Sequence, residues 1–134
     1  VRAHLSFAAA DRLHRSAEFI RLQRIGARFQ SPHFVVYAGN LAATPDDEPA
    51  RPRLGVTVSR RVGIAVVRNR VKRRVREIFR RAIRDNLPAG TSIVVIARAG
   101  AATLAWAAID NELALAVRNL GARIAAKGAF AGRN

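Results

Sequence analysis

The residues best equipped for chemistry in this 134-residue chain are guanidinium groups, and they are gathered in one place. Arg68, Asn69, Arg70, Lys72, Arg73 and Arg76 fall inside the stretch VVRNRVKRRVREIFRR at 66–81, whose single acid is Glu77. Arginine offers planar, forked donors that match phosphate oxygens and stack on bases, where an ammonium acts as a point charge. Over the whole chain 24 Lys plus Arg stand against 9 Asp plus Glu, a formal charge of +15, and only Lys72 and Lys127 are lysines. A polyanion is the expected partner, and the arginine bias favours nucleic acid over a lipid surface.

An incidental solvated face does not explain this pattern. On a helix, like charges four apart (Arg70 with Arg74, Lys72 with Arg76, Arg76 with Arg80) each cost about 0.2–0.5 kcal/mol, and Glu77 alone offers relief. Phosphates would supply the missing counter-charge, with an affinity that falls steeply as salt rises.

Residues for protein-borne catalysis are scarce by comparison. His4, His14 and His33 show no HxH or HExxH spacing, and there is no phosphate-binding GxxxxGK[ST] loop or GxSxG elbow. Asp46, Asp47 and Glu48 are adjacent, but successive carboxylates in a proline-bounded loop project in different directions, which suits a solvated turn better than a metal cage. Cysteine is absent, so disulfides and thiolate metal sites are excluded. No run of eighteen apolar residues occurs, so no helical membrane span is expected. The chain reads as a binder.

The elements that must position the basic residues follow from periodicity. Ser16 as a hydroxyl cap, Glu18, and the apolar Phe19 and Leu22 predict a short helix that stops at Gly26. HFVVYAGNL predicts a strand with Phe34 and Val36 on one face and Val35 and Tyr37 on the other. The proline-rich and acidic residues 43–52 predict an exposed loop. RLGVTVS predicts a second strand, half-covered, and Ile93 to Ile96 an interior strand covered on both faces. On a helix over 67–84, Val71, Val75, Ile78, Phe79, Ala82 and Ile83 fall within an arc of roughly 140° that faces the core. Arg70, Arg73, Arg74, Arg76, Arg80, Arg81 and Arg84 take the opposite side, with Arg68 and Lys72 at the boundary. A long helix from about Thr103 to Lys127 places Trp106, Ile109, Leu113, Ala116, Val117, Leu120 and Ile124 on one stripe. One domain over 1–134 is expected, with a loose basic arm at 1–11 and a frayed tail at 128–134.

A sheet bearing aromatics beside a basic helix suits unstacked single strands, whose bases lie on rings while the backbone follows positive charge. Phe19, Phe34 and Tyr37 are the candidate rings; core packing is the first reading of Phe19 and Phe34, while Tyr37, with a polar handle, suits either role. A helix reading the DNA major groove is the rival, but no short helix–turn–helix pair is present.

The stretch RLGVTVSRRVGIAVVRNRVKRRVREIFR resembles the protein subunit of bacterial ribonuclease P. That family carries a strand of the type GLSVSKK, a VGxAVxRN turn into a helix, and an RNR-x-KR signature. The matching residues run from Gly55, Val58 and Ser59 through Gly63, Ala65, Arg68, Asn69, Arg70, Lys72 and Arg73 to Arg76 and Phe79. Weaker similarity covers the chain from Arg12 onward. The resemblance implies an α+β fold, a two-layer α/β sandwich of the kind also seen in the second domain of a small-subunit ribosomal protein. Its sheet is four-stranded and mostly antiparallel, with about three helices, and its basic helix makes a left-handed βαβ crossover between parallel strands. It also implies a cytoplasmic ribonucleoprotein in which a catalytic RNA, holding Mg²⁺, removes the 5′ leader of precursor tRNA, with neither a membrane nor a small-molecule substrate as partner. Carried over residue by residue, Arg68, Asn69, Arg70, Lys72, Arg73 and Arg76 would contact the catalytic RNA. Phe19, Tyr37, Arg60, Arg61, Arg68 and Lys72 would line a leader cleft between the sheet and the basic helix.

Two departures stand out. Gln23 occupies the position of a frequent second aromatic, and Ile64 that of a polar residue, so the cleft floor and the cap of the basic helix should differ from the family pattern. The alternatives to this reading are a generic single-stranded RNA-binding or ribosome-associated protein, and a nuclease that acts without RNA.

Overall fold

Strand-forming residues with period-two alternation build a four-stranded sheet in the computed structural model, which describes residues 16–40, 52–87 and 90–131, with side chains from Ala17 to Arg123. The N-terminal arm at 1–11 and nearly all of the acidic loop at 43–52 lie outside the described residues. Helix α1 (Ser16–Ile25) leads into β1 (Ala27–Gln30) and β2 (Phe34–Asn40), followed by β3 (Arg53–Val58). Next come α2 (Ala65–Ile78), β4 (Thr91–Ala97) and the long α3 (Trp106–Ala131). The sheet order is β1-β2-β4-β3. β1 with β2 and β2 with β4 are antiparallel, whereas β3 and β4 are parallel, so α2 makes the crossover between them.

The interior strand is the one expected. β4 lies between β2 and β3, and Ile93, Val94 and Val95 are buried because helices cover both faces. On one face α2 and α3 seal the main core: Phe34, Val36 and Ala38 from β2 and Leu54 and Val58 from β3 meet Val71, Val75, Ile78 and Phe79. Ile109, Leu113, Ala116 and Leu120 of α3 complete it. Among the described residues the second face carries α1 alone, whose Leu22 is buried against Val94, with Phe19, Tyr37 and Ile96 half-buried around them.

Gly26 is more than a helix stop. Its N–H donates to the Leu22 carbonyl at 2.8 Å, and a Cβ there would stand 2.5 Å from that oxygen and 3.0 Å from the Ala38 carbonyl. A side chain would separate α1 from β2.

Four expectations change. β1 is a strand that periodicity did not predict, and its ARFQ pattern points Ala27 and Phe29 to the core and Arg28 and Gln30 away. Phe34 is fully buried, in keeping with core packing as the first reading of that ring. Trp106 is 40% exposed, because it opens α3 at a turn where Arg74 of α2, and not the sheet, lies against it. At the end of the basic helix the roles of Ala82 and Arg84 are exchanged: Ala82 is exposed and Arg84 only 3% exposed. The cause is a π turn over Phe79–Ile83, which takes up one extra residue and rotates everything after it, so Arg84 arrives where a regular helix would place its apolar predecessor. Arg84 Nε lies 3.8 Å from Asp85. The long helix also continues past Lys127 to Ala131.

Candidate nucleic-acid interface

Two surfaces carry the chemistry, one on α2 and one on the thinly covered face of the sheet. Helix α2 begins after Ile64, which has extended backbone and no side-chain cap, consistent with the expected departure at that position. Its core stripe fixes the azimuth of everything else. Asn69, Arg70 and Arg73 are exposed, while Arg68, Lys72, Arg74 and Arg76 are half-buried.

The two flanks of α2 behave differently. Arg74 turns toward α3, donating to the Leu104 carbonyl at 3.2 Å and lying 5.9 Å from the centre of the Trp106 ring. Arg68, Lys72 and Arg76, spaced four apart, form a row on the flank turned away from α3, at the side of the edge strand β3. Arg68 Nε is buried with no hydrogen-bond partner. Further along, Glu77 accepts from Arg80 and lies 3.0 Å from Arg81 Nε. The hydrogen bond from Arg80 outweighs the modest desolvation and holds the Glu77 carboxyl below the usual carboxylate range. Part of the repulsion is therefore relieved inside the fold, at Arg74 by α3 and at Arg80 and Arg81 by Glu77.

On the other face, strand register assembles residues that the sequence scatters. Arg28 pairs with Tyr37, Tyr37 with Val94 and Val94 with Gly55, so these four form one row across the sheet. Phe19 of α1 closes that row, because a Cβ on Gly55 would meet its ring at 2.4 Å. Glycine at this position is what lets the ring lie on the β3 backbone. Glu18, beside it, bridges to Arg53 at 2.8 Å and fastens α1 to the start of β3. Arg28 sits 6.0 Å from the Tyr37 ring centre and donates to Gln30 at 2.8 Å. The neighbouring row, Gln30, Val35, Ile96 and Thr57, is half-buried or exposed. It leads along β3 to the exposed Arg60 and Arg61, in the short turn of 3₁₀ helix before α2.

Where the sheet meets the inner side of α2, Leu54, Val58, Val71 and Val75 pack together as core. Phe19 and Tyr37 instead line the opposite face, under α1, and only the Arg68–Lys72 flank approaches it, around the edge of β3. Gln23 is exposed, so Phe19 and Tyr37 are the rings of this face among the described residues. Arg28, Gln30 and Thr57 escaped the sequence reading; the alternation of ARFQ was the available signal for the first two.

Among the described residues no cluster of three His, Asp or Glu side chains could hold a metal ion. The donor set here does not fit a protein-held Mg²⁺ site. His33 is engaged structurally: its backbone N–H donates to Glu112 Oε1 at 3.0 Å and its Nδ1 lies 2.8 Å from Oε2. Burial raises the Glu112 pKa, but hydrogen bonds from Ser31 and His33 outweigh it and leave the carboxyl below its ordinary value. Among the described residues no helix is long and apolar enough to cross a membrane.

Comparison with known proteins identifies the family and the fold. The family model described as Ribonuclease P matches residues 7–121. A ribonuclease P protein component of Beutenbergia cavernae is 43% identical over 115 residues, covering 86% of this chain and 92% of that one. Among solved structures, the Staphylococcus aureus RNase P protein superposes with a TM-score of 0.69 at 31% identity, covering 85% of this chain and 96% of that one. The RNase P protein of Thermotoga maritima gives 0.65 at 32%, covering 80% and 96%. With the signature of α2, the mixed sheet and the matched length all in agreement, the chain belongs to the ribonuclease P protein family.

Proposed function

We propose that this chain is the RNA-binding subunit of a ribonuclease P in which a catalytic RNA removes the 5′ leader of precursor tRNA. The observation that carries this reading is the separation of the two surfaces. Arg68, Asn69, Arg70, Lys72, Arg73 and Arg76 project from a helix whose other side is core, so their charge is available to the phosphates of a folded RNA. The half-buried Phe19 and Tyr37, with Val35 and Ile96 beside them, offer rings and apolar surface to unpaired bases, and Arg60 and Arg61 stand toward α2.

In this reading the RNA performs the chemistry and binds most of the Mg²⁺, while the protein orients the leader and lowers repulsion between two anionic partners. Arg68 and Lys72 link the two surfaces, because their flank borders the edge of β3. A phosphate there would meet the half-buried guanidinium of Arg68, whose buried Nε has no hydrogen-bond partner among the described residues.

Reconstitution tests the reading. The protein is mixed with its catalytic RNA and cleavage of precursor tRNA is followed at low Mg²⁺. Strong stimulation is expected, falling by roughly tenfold or more in an R68A/K72A double variant, since charge-assisted contacts of this kind contribute about 1.5–3 kcal/mol each. Stimulation that survives unchanged in that variant removes these residues from the site. Cleavage by the protein with RNA omitted would favour a protein-only nuclease, and binding that ignores leader length would favour a generic RNA binder.

A further inference from the structure

The flank of α2 that faces α3 has a feature the reading above does not use. Trp106 is the only tryptophan of the chain, and it is 40% exposed although it begins a helix whose core-facing Ile109, Leu113 and Ala116 are fully buried. The ring is not loose. Arg74 lies 5.9 Å from its centre and is held in turn by the Leu104 carbonyl at 3.2 Å, so the indole is backed by a fixed cation with part of its surface open to solvent. Arg70, one helical turn before Arg74, is exposed on the same flank.

A large ring left open beside a cation is expensive for a folded chain in water, since burying it would return a sizeable hydrophobic gain. The same pairing is well matched to RNA. An aromatic face accepts a base of any sequence, a cation next to it strengthens the stack, and a neighbouring arginine takes the phosphate. Position decides which RNA. Trp106 is on the far side of α2 from Arg68 and Lys72, across the sealed core from Phe19 and Tyr37, so a leader held on the open sheet face does not lie against it. A folded RNA seated on α2 can reach both flanks.

Building on the proposed function, the geometry points to a second RNA contact: Trp106, backed by Arg74 and with Arg70 for the phosphate, receives one unpaired base of the catalytic RNA. The protein would then hold that RNA at two flanks of one helix, with stacking on one side and charge on the other.

Because Trp106 is the sole tryptophan, its own fluorescence reports on the contact. The intact chain is titrated with catalytic RNA, and separately with a single-stranded RNA oligonucleotide of leader length, while acrylamide quenching of the indole is measured. Saturating catalytic RNA is expected to protect Trp106 from acrylamide several-fold, and the oligonucleotide to leave it accessible. W106A should weaken catalytic-RNA affinity by about tenfold and W106F by less than about threefold, because the ring and not the indole N–H carries the stack. Thermal unfolding of both variants separates a folding defect from a lost contact, and the quenching experiment on the unaltered chain needs no variant. An indole equally accessible in free and saturated protein, or a folded W106A that binds like the parent, overturns the contact. If R68A/K72A still loses affinity in that case, the proposed function stands and only the stack falls; if the unaltered chain does not bind catalytic RNA, both fall.

Discussion

The two faces of the sheet divide the work of this protein. Under α2 and α3 every strand contributes side chains to one continuous core, and charge is pushed to the outer surface of the helices. Under α1 only Leu22 and Val94 are fully buried as a pair, and the remaining rings stay half-open. A face that buries everything supplies stability; a face covered by ten residues of helix keeps apolar and aromatic surface within reach of a ligand. The residues proposed to contact RNA follow the same division, since the exposed side of α2 and the α1 face are surfaces the core does not consume.

Substitutions should separate the two faces sharply. Phe79→Ala, at a fully buried position of the sealed face, is expected to cost about 3–5 kcal/mol, a large share of the stability of a domain this size, in urea or thermal unfolding. Tyr37→Ala on the open face should cost a good deal less while weakening binding of a leader-length RNA. Equal stability losses for the two would erase the distinction.

Gly55→Ala probes the open face from the backbone side. The new Cβ displaces the Phe19 ring, with an expected loss of about 1–3 kcal/mol that a second change, Phe19→Leu, partly restores. Absence of coupling in the double-mutant cycle would place that ring elsewhere.

Charge on the α2 flank should appear in salt dependence and not in stability. R68A/K72A removes two phosphate partners, so the slope of log affinity against log salt should become shallower by roughly 1.4–1.8. Thermal stability should change little, because exposed or half-exposed like charges contribute little to folding.

The smallest effect concerns the stitch between His33 and α3. Glu112 has a folded pKa below its unfolded value, so its contribution is present in full above the ordinary carboxylate range and is lost as pH falls through the folded value. Glu112→Gln should therefore lower the melting temperature by a few degrees near neutrality and flatten its acid limb below about pH 4. An unchanged acid limb would show that other carboxylates dominate it.

Much of this was legible beforehand. The core stripe of α2 and the exposure of Arg70 and Arg73 follow from 3.6-residue periodicity, and the interior position of β4 follows from four apolar residues in a row. The RNR-x-KR spacing pointed to the family before any coordinates. Failures came where a local rule met a neighbour distant in sequence or a break in the helix. A π turn carried Arg84 inward, an arginine three turns into α2 kept Trp106 at the surface, and β1 became a strand only because β2 was there to pair with it.

Sequence alone determined which residues are cationic, which helix carries them and which side of that helix must be buried, because charge is a property of composition and helical azimuth is set by neighbours three and four positions away. Tertiary structure decided which face of the sheet stays open. Row formation across Arg28, Tyr37, Val94 and Gly55 depends on strand register, and register is settled by long-range pairing and by where the helices come to rest.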